Sequence, residues 1–147
     1  MKMARLTAPL AICLGLFAAL ASAFGTQSAG IKGTLLCGDR PLANAKVKLY
    51  DDDSGPDLDD LLAEGETDSL GQFLLSGHTF ELTTIDPKLN VYHDCDDGIK
   101  PCQRKVVFWI PKDFVSSGEH PKRYFNLGTL NMQTIFDGET RDCLHRA

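Results

Sequence analysis

No Cys-x-x-Cys pair and no Asn-x-Ser/Thr acceptor occurs anywhere in this 147-residue sequence. Beyond the first two dozen residues there is also no apolar run of membrane-spanning length. The missing Cys-x-x-Cys spacing argues against a zinc ribbon, and the missing acceptor excludes N-glycosylation at the usual motif. Basic residues are in the minority, with 15 Lys and Arg against 20 Asp and Glu and a formal net charge of −5. Non-specific nucleic-acid binding depends on Lys and Arg, so no nucleic-acid partner is expected. Bulk attraction to anionic membrane is disfavoured for the same reason. No long segment carries helical periodicity, and there is no repeat, low-complexity tract or interdomain linker.

What is present begins with a targeting pattern. Lys2 and Arg5 precede an apolar run over residues 6–20, and Ala21-Ser22-Ala23 supplies the small residues a signal peptidase accepts. Residues 1–23 therefore read as a signal peptide, leaving 24–147 as one secreted, extracellular domain. Cys13 departs with that peptide, and Cys37, Cys95, Cys102 and Cys143 remain. An even count on an oxidising route reads as two disulfides, for which three pairings exist. The expected pairing is Cys95–Cys102, closing a local loop, with Cys37–Cys143 tying the first strand to the tail. Metal ligation by His93, Cys95 and Cys102 is the weaker reading.

Short β-favouring runs separated by Gly, Pro, Asp and Asn fill the mature chain, the punctuation of an all-β sandwich. Runs fall at 31–37, 45–50, 61–67, 72–75, 89–93 and 104–110, with a closing pair at 123–131 and 132–136. The alternation of Ala45, Val47 and Leu49 with Lys46, Lys48 and Tyr50 describes a half-buried strand. In 104–110, Val106, Phe108 and Ile110 share one face while Val107 and Trp109 share the other. Such a strand is either covered twice or offers one face to a partner.

The segments Gly38-Asp39-Arg40-Pro41 through Tyr50, and Thr67-Asp68-Ser69-Leu70-Gly71-Gln72-Phe73, resemble the opening strands of prealbumin-like sandwiches. Val91-Tyr92-His93-Asp94-Cys95, Pro101-Cys102-Gln103-Arg104-Lys105, Gly128-Thr129-Leu130-Asn131 and Glu139-Thr140-Arg141-Asp142-Cys143 resemble the secreted transthyretin-like proteins of nematodes. This resemblance implies a Greek-key sandwich of seven or eight strands with two disulfides. It also implies extracellular adaptors, some bridging exposed phospholipid on dying cells to receptors on engulfing cells. Hydrolases of 5-hydroxyisourate share the broad superfamily and need a His on the first strand and a terminal Tyr-Arg-Gly-Ser. Here Gly30-Ile31-Lys32-Gly33 stands in the first place and Cys143-Leu144-His145-Arg146-Ala147 in the second, so that activity is not expected.

His78, His93, His120 and His145 are scattered over four segments, and no nucleophile elbow accompanies them. His93-Asp94 is the most chemically suggestive pair, since a carboxylate can orient an imidazole. The expectation is nonetheless a binding protein with no catalytic residue and no cofactor. Two candidate surfaces follow. Asp51, Asp53 and Asp57 lie in an acidic loop over 51–60 and offer oxygen ligands to Ca²⁺, although such charge runs are usually solvated faces. Lys100, Arg104 and Lys105 flank Phe108 and Trp109, and together would form a cationic, aromatic patch for a phospholipid headgroup or a cell-surface receptor. A second copy laid over Val107 and Trp109 would make a homodimer, and carriage of a small hydrophobic ligand is the alternative function.

Overall fold

A computed structural model describes residues 25–54 and 58–145. The expected signal peptide and Asp57 lie outside the described residues. Ten strands form among them: β1 (Gly25–Cys37), β2 (Arg40–Pro41), β3 (Lys46–Asp51), β4 (Asp60–Glu66), β5 (Gln72–Glu81), β6 (Pro87–His93), β7 (Gln103–Trp109), β8 (Ser116–Ser117), β9 (Phe125–Asn131) and β10 (Thr140–Asp142). Seven of these are six residues or longer, which meets the expected sandwich. The only helical piece described is a 3₁₀ turn, Lys112–Phe114.

Two sheets face each other. In the first, β1 is central, with β5 antiparallel on one side and β9 parallel on the other. The second runs β10-β7-β6-β3-β4, antiparallel throughout. Alternation places Ile31 and Leu35 of β1 against Val47, Leu49, Leu89, Val91 and Val106 of the second sheet, all at most 2% exposed. Each such side chain contributes roughly 1.5–3 kcal/mol on burial. The turn into β5 is built locally: the Asp68 carboxylate accepts from Leu70 N at 2.9 Å and Gln72 N at 2.8 Å. Gly71, at φ +76°, is required there, because a Cβ would sit 2.2 Å from the Leu35 carbonyl oxygen.

Three expectations need correction. Residues 132–136 form no strand, because the Arg104 guanidinium takes the carbonyls of Met132 (2.8 Å) and Thr134 (2.9 Å) that a ladder would have used. The closing strand is instead β10, which pairs with β7 as Thr140↔Lys105, Arg141↔Arg104 and Asp142↔Gln103. That register brings Cys143 beside Cys102, and the two are bonded, with Cα atoms 4.4 Å apart. Cys37, at the end of β1, is bonded to Cys95, just past β6, with Cα atoms 5.7 Å apart. The disulfides are therefore Cys37–Cys95 and Cys102–Cys143, rather than Cys95–Cys102 with Cys37–Cys143. The first stitches sheet to sheet, and the second fastens the tail to the edge.

Candidate functional site

The outer face of the second sheet carries the polar and aromatic side chains that alternate with the core. Cross-strand register sets them in rows. Lys46, Tyr92 and Lys105 make one row, Lys48, Asn90 and Val107 the next, and Tyr50, Lys88 and Trp109 the third. The floor of this face is buried: Tyr50 is 5% exposed, and Asn90 and Tyr92 are fully covered. Burial pushes the Tyr92 hydroxyl up to about 12. What covers Tyr92 is the chain's own C-terminal segment, with the His145 ring 4.6 Å from the Tyr92 ring. Lys48 Nζ donates to the His145 carbonyl at 2.7 Å and stands 6.0 Å from the Tyr92 ring centre. Lys105 Nζ lies 5.9 Å from that centre and 3.9 Å from Asp142.

The proposed cationic patch divides along this alternation. Trp109 is 57% exposed and Val107 is also exposed, because β10 covers β7 only along residues 103–105. Lys105 shares their face. Arg104 points inward, 3% exposed, where it donates to Glu139, to Cys95 O, to Met132 O and to Thr134 O. Phe108 also points inward, edge-on to Phe136 at 5.4 Å. Lys100 is exposed in the loop before Cys102. The residue the sequence reasoning missed is Lys88, whose ammonium lies 5.6 Å from the Trp109 ring centre. Burial pulls the Lys88 pKa down, but hydrogen bonds to Asp52 and Asp59 more than offset this and hold it raised. Shared parity on paired strands was the available signal, although it needed the β6–β7 register.

Around that end of the sheet the acidic loop behaves differently from expectation. Asp51 is 2% exposed and accepts from Asp86 N at 2.7 Å, so it is not part of a wholly solvated run. Burial raises its carboxyl to about 6, aided by the neighbouring charges of Asp53, Glu81 and Asp86 and opposed by the Asp86 hydrogen bond. Oxygens of Asp51, Asp53 and Glu81 lie within 4.8 Å of one another. Three carboxylates fall short of the six to eight oxygens that Ca²⁺ takes unless some bind through both oxygens or backbone and water join. Glu81 was invisible to a reading confined to residues 51–60.

At the other end, His93 is 1% exposed and its Nδ1 accepts from Cys95 N at 3.1 Å. Burial and the nearby Arg104 charge lower its pKa to about 4, so the ring is neutral. Asp94 does not orient it, because that carboxylate takes Gln103 Nε2 at 2.9 Å instead. The described clefts are open and lined by mixed polar and apolar groups. One of about 480 Å³ is lined by Lys32, Glu66, Asp68 and Gln72 among others, and one of about 450 Å³ by Asp94, Asp96 and Gln103 beside the Cys37–Cys95 bridge. No helix among the described residues is long and apolar enough to cross a membrane.

Sheet order, disulfides and core together define a disulfide-stapled β-sandwich of the prealbumin type. The model of the transthyretin-like family (TTR-52) matches residues 32–111. The chain is 78% identical to Transthyretin-like protein 33 of Caenorhabditis elegans, over 82% of this chain and 85% of that one. It is 52% identical to Transthyretin-like protein 5 of the same organism, over 82% and 86% of the two chains. The chain belongs to the transthyretin-like family.

Proposed function

We propose that this protein is a secreted extracellular binding module that recognises a cell-surface protein through the open part of its second sheet. The observation carrying this reading is Trp109, the single tryptophan of the chain, standing 57% exposed beside a fixed ammonium. An exposed Trp with a neighbouring cation is a typical anchor in protein interfaces. Electrostatics favour protein over anionic phospholipid as its partner. Lys88 is already matched by Asp52 and Asp59, and Lys112 lies 2.9 Å from Asp86. A negatively charged headgroup would meet carboxylates there. The same reading makes the domain an adaptor rather than a catalyst, since His93 is buried and neutral. It also ranks a hydrophobic carrier second, because both clefts are open and carry charged side chains among their apolar lining.

Because Trp109 is the single tryptophan of the chain, its emission on red-edge excitation, which the tyrosines do not share, reports contact directly. Oxidised protein added to cells should bind, and protease stripping of the cell surface should abolish binding. Vesicles of phosphatidylserine and phosphatidylcholine, with and without Ca²⁺, should neither bind nor shift the emission. Binding that survives stripping and is matched by phosphatidylserine vesicles would replace the protein partner with the lipid headgroup. Sedimentation at several concentrations tests the remaining occupant, a second copy covering Val107 and Trp109.

A further inference from the structure

The covered half of the same face holds a different arrangement, independent of Trp109. Residues 142–145 cross the Tyr92 row as a bound peptide would. The Asp142 carboxylate meets Lys105 at 3.9 Å, the His145 ring rests on Tyr92 at 4.6 Å, and the His145 carbonyl accepts from Lys48 at 2.7 Å. Asp142 also folds the segment, its Oδ1 accepting from Leu144 N at 2.7 Å and from His145 N. Underneath lie Tyr50, Asn90 and Tyr92, and Asn90 Oδ1, fully buried, has no hydrogen-bond partner among the described residues. A floor of buried polar and aromatic groups is an unusual use of a sheet's outer face, since polar groups are costly to bury unsatisfied.

The fastening of this segment is uneven. Beyond the Cys102–Cys143 bridge, β10 holds to β7 over three register pairs, and the partly exposed Arg141 pairs with the buried Asp97. The two disulfides differ in access. Cys95 is 4% exposed in the core, with its N–H on His93 and its carbonyl on Arg104. Cys143 is exposed, and Cys102 stands at φ +65°, a left-handed backbone that a non-glycine residue rarely adopts. Thiol–disulfide exchange follows access to the attacked sulfur.

We propose that the Tyr92 face is a docking site for a peptide carrying a carboxylate followed three residues later by an aromatic ring, closed in the oxidised protein by residues 142–145 and opened by reduction of Cys102–Cys143. The reductant is a dithiol. Its thiolate attacks Cys143 Sγ and expels the Cys102 thiolate, and its second thiol then resolves the mixed disulfide. Two protein thiols form as one dithiol becomes a disulfide. Arg104 still holds Glu139 and Asp97 still holds Arg141, so opening frees residues 142–145, whose remaining contacts run to Lys48, Lys105 and Tyr92. Lys48 and Lys105 turn to the incoming carboxylate, and Tyr92 accepts the incoming ring.

The test uses the full mature chain and a fluorescent heptapeptide with the sequence of residues 141–147, serine replacing cysteine. Limited dithiothreitol followed by differential alkylation should label Cys102 and Cys143 before Cys37 and Cys95. The singly reduced, alkylated protein should bind the peptide at least about tenfold more tightly than the oxidised protein, as expected when an intramolecular competitor keeps its backbone link but loses the second tether at Cys143. A Cys102→Ser/Cys143→Ser variant should bind without reduction, and Lys105→Ala in that background should abolish the gain. Opening should also bring the Tyr92 hydroxyl, read by absorbance at 295 nm, back toward the ordinary phenol range. Simultaneous reduction of both bridges would overturn the proposal. So would unchanged affinity in the singly reduced protein with its circular dichroism preserved. Trp109→Ala leaves this peptide's binding unaltered, so failure here is distinct from failure of the cell-surface reading.

Discussion

The two ends of β6 lie about 20 Å apart at 3.3–3.4 Å per residue, and they treat buried charge in opposite ways. At the His93 end, the Arg104 guanidinium is matched by Glu139 and by three carbonyls, and two disulfides enclose it. The ion pair holds Glu139 below the ordinary carboxylate range and Arg104 above its own. At the Pro87 end, Asp51 is buried among other carboxylates and is held up near 6. One end satisfies its charge, although the neutral His93 keeps a buried Nε2 with no hydrogen-bond partner among the described residues. The other keeps a cluster of like charges at the same end of the sheet as the exposed Trp109, on the opposite face. A local conflict retained at the end of the sheet that carries an exposed anchor suggests function, whereas a matched ion pair suggests structure.

Removing the satisfied charge should have the largest effect. Arg104→Ala leaves Glu139 and three carbonyls without their donor, and should cost about 3–5 kcal/mol in urea unfolding, the range for breaking a buried pair. A cost under about 1 kcal/mol would erase the distinction between the ends.

The pH dependence separates the two ends by sign. His93 titrates near 4 in the folded protein and at its ordinary 6.5 when unfolded. Its stabilising contribution is therefore complete above pH 6.5 and is lost as pH falls to about 4. Asp51 runs the other way, titrating near 6 when folded and at 3.8 when unfolded. Its contribution is complete below pH 3.8 and is lost as pH rises through 6. Each shift is worth on the order of 2–3 kcal/mol at 1.36 kcal/mol per unit, so the wild-type stability curve should be nearly level between pH 6 and 4.5. Asp51→Asn keeps an acceptor for Asp86 N and removes the charge. It should raise stability by about 2 kcal/mol at pH 7.5 and expose the His93 decline as a slope through that window. A curve as level as wild type would remove Asp51 as the source of the conflict.

Much of this contrast was hidden in the sequence, for identifiable reasons. Strands such as 45–50 and 104–110 were legible because their apolar residues alternate over one buried face. The Trp109 face was legible from parity alone. The disulfide pairing was not, because it depends on β10, and Thr140-Arg141-Asp142 has no apolar alternation to mark a strand. Those residues become a strand because β7 offers them an open edge. The acidic cluster was only partly legible for a similar reason. Glu81 reaches Asp51 because β5 continues past Leu75 through Ser76, His78 and Glu81, a polar stretch held by its ladder with β1. The division of Arg104 from Lys105 was readable in principle, but the interest of a basic cluster outweighed the alternation that splits it.

Smaller effects sharpen the comparison at the Trp109 end. Lys88→Ala removes the ammonium between Asp52 and Asp59, and should cost about 1.5 kcal/mol, the low end of the range for hydrogen bonds to charged groups. The same change leaves Trp109 in place and should weaken cell binding only through the lost cation, which ranks it below the loss of the ring.

Trp109→Ala should have the smallest effect on folding and the largest on recognition. More than half of the ring is already in water, and its strand is anchored by the inward-facing Val106 and Ile110. Urea unfolding should therefore move by less than about 0.5 kcal/mol, the range of ordinary surface substitutions. Cell binding should fall by at least about 2 kcal/mol, or roughly thirtyfold in Kd, as for an interface anchor. If folding were lost instead, the ring would be a packing residue and the open face would carry no anchor. If neither property moved, the conflict at Asp51 would share its end of the sheet with an inert tryptophan, and the acidic end would have no functional claim over the satisfied one.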